Sequence, residues 1–204
     1  MTAAKNKRIR RKAASQRIKA NDEKFRELLL FIARHSEGDP LFGAIKLNKL
    51  LFLSDFSAYV GLGRPITGQE YFALSQGPAP RYLVRIRDEM KKKGDIAIRR
   101  EGSSSGLYTN RVFALREPDL SQFTPQEIAL VTSVLQNCWR HTGTELTEIT
   151  HRFAGWRLAG DKETIPYSVA LVGNRKPTSD EVKFGATLET LAVSCLAENA
   201  AELG

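Results

Sequence analysis

Apolar residues recur at helical spacing along the first third of the chain. Phe25, Leu28, Leu29 and Ile32 follow i, i+3, i+4, i+7, one face of a helix that Asn21 is placed to cap. That helix stops near Glu37-Gly38-Asp39-Pro40. The stretch "AIKLNKLLFLSDFSAYV" at 44–60 is apolar almost all round, which predicts a helix buried on more than one side. Gly61 and Gly63 end it, and Pro65 marks the break. Residues 70–75 alternate as a short strand. Gly77-Pro78-Ala79-Pro80 then reads as a corner that ends the strand sharply, because each proline fixes φ and lacks a donor while Gly77 permits a tight turn. A third helix is predicted from about Pro80 to Lys93. Leu83, Ile86 and Met90 face inward, and Arg81, Arg85, Arg87, Lys91, Lys92 and Lys93 face outward.

Two strands follow, near 95–101 and 107–115, joined by the turn cluster "GSSSG" as a β-hairpin. The order helix, helix, strand, helix, hairpin is like that of a winged helix, with the hairpin as the wing. Thr124, Pro125 and Glu127 make a capping box for a further helix, whose inner face is Ile128, Val131, Leu135 and Cys138. Thr144 is expected to cap a shorter helix holding Leu146, Ile149 and Phe153. Residues 157–177 are loop-rich, and Thr178 with Glu181 predicts another capping box, opening a last helix to about Ala201. The pattern as a whole predicts a mainly α protein with a small β element (α+β): a compact helical bundle with one short strand and a β-hairpin.

Charge divides the chain. The net charge is +8, yet residues 1–19 alone carry eight cations and no acid: Lys5, Lys7, Arg8, Arg10, Arg11, Lys12, Arg17 and Lys19. The remainder is neutral. The composition predicts a disordered basic arm over 1–20 and one folded domain over 21–204. The arm either supplies candidate DNA or RNA phosphate contacts in Lys7, Arg8, Arg10, Arg11 and Lys12 or is a solvated tail with no specific partner. No apolar run approaches the length that spans a bilayer, and no apolar stretch follows the charged start as in a signal peptide, so a cytoplasmic location is expected and no membrane partner. Cys138 and Cys195 lie far apart and read as reduced core residues.

Catalytic patterns are sparse. His35, His141 and His151 stand in no HExxH and at no metal spacing from a cysteine. Walker A, GxGxxG and GxSxG patterns are absent. Glu148 and His151, at i and i+3, can meet on a helix face, and such pairs are usually structural contacts. The expectation is a protein that is not an enzyme and uses no cofactor.

Three segments carry a family likeness. "IKLNKLLFLSDF" at 45–56 resembles the K-L-x-K-L-L-aromatic-x-x-D helix of the SocA-like Panacea domain, a phage-associated family, through Lys46, Leu47, Lys49, Leu50, Leu51, Phe52 and Asp55. "EYFALSQGPAP" at 70–80 resembles that family's strand ending in Gly-Pro, with Gly77 and Pro78; Gln76 stands where the family usually has an aromatic residue. "LTEITHRFAGWRLAGDKETI" at 146–165 resembles its late His-x4-Trp segment, with His151 and Trp156. The resemblance implies a helical antitoxin domain that neutralises a cognate protein toxin by direct binding, or delivers it to a ClpXP-type protease. Arg81, Arg85, Lys46 and Lys49 are the candidate partner-binding residues. The alternative reading is a winged-helix-like DNA-binding regulator that uses the arm, the helix at 80–93 and the hairpin at 95–115. His151 and Trp156 are expected to play a structural part, with the tryptophan buried.

Overall fold

The computed structural model describes residues 18–102 and 108–172, together with the single residue 179. Helix α1 (Asp22–His35) starts where Asn21 accepts a hydrogen bond from the backbone N–H of Lys24, as the sequence predicts. Helix α2 (Ala44–Leu62) includes Gly61 and ends at Gly63, whose left-handed φ of 74° forms the C-cap. Its all-round apolarity has a direct cause, since α2 serves two cores. Leu47, Leu50 and Leu51 join α1, Leu83, Ile86, Met90 and the inner face of a later hairpin. Phe52 and Phe56, on the other side, join Tyr71, Ala73, Ile165 and Tyr167.

The Gly-Pro-x-Pro stretch corrects the sequence reading. It is a strand, not a corner: β1 (Tyr71–Leu74) and β2 (Gly77–Pro80) pair antiparallel across the two-residue turn Ser75-Gln76. The register explains how two prolines are accommodated. Pro78 and Pro80 lie opposite Ala73 and Tyr71. Those two residues turn their backbone groups the other way, toward the segment 162–165. Ala73 N donates to Glu163 O (2.9 Å), Lys162 N to Ala73 O (2.8 Å) and Ile165 N to Tyr71 O (2.8 Å). No donor is needed at either proline, so neither breaks the pairing. Gly77 takes φ +89°, which closes the tight turn.

Helix α3 (Leu83–Lys93) begins after Tyr82, three residues later than predicted, because Pro80 belongs to β2 and Arg81 N donates to Glu70 O (2.8 Å). Strands β3 (Ile96–Gly102) and β4 (Tyr108–Ala114) form the expected hairpin. The order is helix, helix, hairpin, helix, hairpin, with each hairpin a separate two-stranded sheet, so the winged-helix likeness gains a strand in order and does not extend to strand pairing. Helix α4 (Pro125–Cys138) has the predicted Thr124–Glu127 capping box, and Glu127 also meets Lys24 at 2.8 Å. Helix α5 (Gly143–His151) is capped by Thr142 with Glu145 rather than by Thr144. Thr142 has the acid three residues on that a capping box requires, whereas Thr144 has Thr147 there. Helix α6 (Ala154–Leu158) follows, then one 3₁₀ turn at Tyr167–Leu171. Six α-helices and two small sheets among the described residues make a mainly helical α+β fold. The basic arm through Arg17, Cys195 and the Thr178 capping box lie outside the described residues. Cys138 is a buried free thiol.

Candidate functional site

The three sequence segments singled out above are far apart in the chain and meet at one place. Lys49 of α2 points its ammonium at the β1–β2 turn, donating to the carbonyl of Gln76 and to that of Pro78 (3.3 Å). Trp156 of α6 donates its indole N–H to Leu74 O on the other side of the turn (2.9 Å). His151, the last residue of α5, stacks on Trp156 with ring centroids 3.7 Å apart and planes 8° from parallel. The edge of its ring lies against Gly77, the residue that closes the turn. A side chain at Gly77 would put its Cβ 2.5 Å from Lys49 Nζ, 2.9 Å from Thr150 Oγ1 and 3.3 Å from His151. Glycine is therefore required at this position twice over, by backbone conformation and by space. Gly77→Ala is expected to cost about 2 kcal/mol in a urea melt, since a β-carbon meets both strain and crowding. A loss below about 0.5 kcal/mol would mean that the clamp yields readily.

The turn so held has exposed side chains at its tip, Ser75 and Gln76. Beside it runs a groove of about 350 Å³, lined by Ala73, Leu74, Ser75, Trp156, Gly160 and Asp161 among others. Trp156 is half-buried there and forms one wall, so the expectation of a buried tryptophan is corrected. Leu158, between the lining residues Arg157 and Ala159 in the chain, is 82% exposed.

Beneath the hairpin lies a second buried polar cluster. Asp55 is fully enclosed. Its Oδ1 accepts from Thr67 N (2.7 Å), and its Oδ2 accepts from Thr67 Oγ1 (2.5 Å) and shares a hydrogen bond with Tyr71 Oη (2.8 Å). Tyr167 Oη lies 3.4 Å from the same oxygen and donates to Gln69 O (2.7 Å). Burial pushes the Asp55 carboxyl up, and the surrounding donors only partly oppose this. Burial also raises both tyrosines, with the neighbouring Asp55 adding to it.

The other expected partner-binding residues are placed differently. Lys46 and Lys49 are almost fully buried, so the expectation that they meet a partner is corrected: neither ammonium reaches the surface. The apolar pattern around α2 hid this, because both cations face inward between leucines. Lys46 is fixed by Asp39 (2.6 Å) and by the carbonyls of Trp139 (3.1 Å) and His141 (2.7 Å) at the end of α4. Arg81 binds Glu70 (2.6 Å) and Thr164 (3.0 Å) and lies over Phe72, which staples the 162–165 strap to β1. Arg85 is exposed but shared between Asp22 and Glu89, each at 2.9 Å. Leu47, Leu50, Leu51 and Pro78 are buried framework. Lys7, Arg8, Arg10, Arg11 and Lys12 lie outside the described residues.

Sequence reading missed Asp39, Thr67, Tyr71 and Tyr167 as polar anchors. Only Tyr167 carried a signal, as an aromatic alternating with Ile165 within an apparent loop.

A family model described as antitoxin SocA-like, Panacea domain, matches residues 47–157. The chain belongs to this family. The match covers more than half of the sequence and runs from α2 to α6, so it takes in the Lys49 clamp, Asp55, Gly77, Pro78, His151 and Trp156. No curated protein and no solved structure matches the chain significantly. The matched span thus contains the residues that clamp the β1–β2 turn and support it from below. Tyr167, which completes the Asp55 cluster, lies beyond the matched span. Among the described residues no helix is long and apolar enough to cross a membrane, and no group of three or more His, Cys, Asp or Glu side chains is gathered for a metal.

Proposed function

We propose that this chain is the antitoxin of a toxin–antitoxin pair, a binding protein rather than an enzyme, and that it neutralises its toxin through the β1–β2 tip and the groove beside it. One observation carries the reading. Lys49 and Trp156 hold the backbone carbonyls around a two-residue surface turn and His151 stacks on Trp156, while the turn's own side chains, Ser75 and Gln76, stay exposed. A loop fixed before it meets a partner has less ordering entropy to lose on binding. An aromatic wall and an exposed leucine beside it supply the apolar anchor that protein interfaces favour. Arg81 and Arg85 already hold carboxylates of their own chain, so the tip is the better-fitting face.

The test is co-expression with the product of the adjacent open reading frame. That product alone should arrest growth, and this protein should restore it. Gln76→Arg with Leu158→Asp should raise the Kd at least about tenfold and abolish rescue, with the melting temperature unchanged. A harmless neighbour, or full rescue by the double variant, would sink the proposal. Toxin lifetime then separates two modes: an unchanged half-life means neutralisation by binding alone, and a half-life shortened only when a ClpXP-type protease is present means delivery for degradation.

A further inference from the structure

The segment Arg87–Arg100 holds six cations and three acids. The structure removes two of the acids from the local balance. Glu89 is bound by Arg26 (2.5 Å) and Arg85 (2.9 Å), and Asp95 by Arg116 (2.7 Å). Lys91, Lys92, Lys93, Arg99 and Arg100 form no ion pair among the described residues, and all five are exposed. The three lysines have a structural use at the C-terminus of α3, where cations suit the helix dipole. That account does not extend to Arg99 and Arg100, which lie on a strand.

The hairpin gives these two arginines a particular geometry. Alternation along β3 puts them on opposite faces of the ribbon. Each guanidinium is spread over an aromatic ring of β4: Arg99 lies 5.3 Å from the centroid of Phe113, and Arg100 lies 4.4 Å from that of Tyr108, which is 65% exposed. Stacked guanidinium groups are partly ordered in advance and keep donors free for oxygen acceptors. β3 pairs with β4 alone, so its other edge is unpaired among the described residues. The lysines at the end of α3 sit immediately before this strand in the chain.

We propose that strands β3 and β4 and the end of α3 form a binding surface for duplex DNA that reads the phosphate backbone without regard to sequence. A two-stranded ribbon is of a size that enters the major groove. A cation on each face meets the phosphates of both walls, while Lys91, Lys92 and Lys93 reach the flanking backbone. This surface is made of different residues from the proposed toxin face, so the two proposals stand or fall separately.

The test uses the full-length chain and a fluorescein-labelled 20-bp duplex of mixed sequence. Anisotropy is read from about 50 to 200 mM KCl, the range in which phosphate contacts lose their affinity. Wild type should bind with a steep salt dependence. Arg99→Glu with Arg100→Glu should weaken binding at least about tenfold at the low-salt end and make the log–log salt slope less negative by about 2. Lys91→Glu, Lys92→Glu and Lys93→Glu together should change it by about 3, an independent check if the first variant folds poorly. Arg152→Glu with Arg157→Glu, on exposed residues of another surface, controls for net charge and should leave the slope nearly as in wild type. If both sets of variants keep the wild-type slope, or the control pair lowers it equally, or wild type does not bind at low salt, the surface is overturned.

Discussion

Asp55→Ala is expected to destabilise the fold by about 4 kcal/mol, whereas Asp55→Asn is expected to cost about 1 kcal/mol. The alanine variant leaves the N–H and hydroxyl of Thr67 without an acceptor in a closed site and opens a cavity between α2 and β1. The asparagine variant is milder because of how the protons are arranged. Tyr71 Oη lies 2.9 Å from Leu51 O and 2.8 Å from Asp55 Oδ2, and it has one proton to give. If Tyr71 donates to Leu51, its oxygen is free to accept from Asp55. A carboxyl whose proton affinity is raised by burial satisfies that arrangement by carrying the proton itself. The asparagine amide offers N–H donors at the same place. Urea denaturation of the two variants at pH 7 decides the matter. Equal losses for Asn and Ala would mean that Asp55 is held as a carboxylate and that the hydroxyls donate to it.

This cluster marks how far sequence alone could reach. The helices were legible because their signals are local. Asn21, and the Thr124–Glu127 capping box, each lie within one helical turn of the groups they satisfy. The double-sided burial of α2 was legible for the same reason, since its apolar residues leave no polar face. Partners were not legible. Lys46 and Lys49 look like surface cations in a one-dimensional pattern, yet each is neutralised or solvated by groups from distant segments: Asp39 and the end of α4 for one, the β1–β2 turn for the other. The Gly-Pro-x-Pro strand failed for a related reason. Whether a proline breaks a strand depends on which way its partner's backbone points, and the segment 162–165 settles that from some ninety residues away. In the candidate site, the family likeness singled out Gly77, Pro78, His151 and Trp156, but periodicity could not show that they gather at a single turn.

The second large effect is a pH dependence that belongs to Lys49. Burial pushes its ammonium down from 10.5 to about 8, and no carboxylate lies within ion-pair distance among the described residues. Lys46, three residues earlier, has Asp39 at 2.6 Å. Below about pH 8 both the folded and the unfolded chain carry the charge, and the folded state bears the full penalty of burying it. Between about 8 and 10.5 the unfolded chain still holds the proton while the folded chain releases it, so stability rises with pH. Above 10.5 neither form is charged and the penalty is gone. The shift corresponds to about 3 kcal/mol over that window. Other lysines and tyrosines titrate in the same range, so the readout is the difference between wild type and Lys49→Met. That difference should move by about 3 kcal/mol in favour of wild type as pH is raised from 7.5 to 10.5. Methionine fills similar space but gives the carbonyls of Gln76 and Pro78 no donor, which offsets part of its advantage at pH 7.5 without altering the slope. A second observable is His151, whose imidazole is held below its usual value by burial first and by the charge of Lys49 second. Lys49→Met should therefore raise the His151 titration midpoint, read from its ring proton shifts. A stability difference that stays flat with pH would show that the turn carbonyls solvate the ammonium as well as water does, and that the clamp on the β1–β2 turn is held without strain.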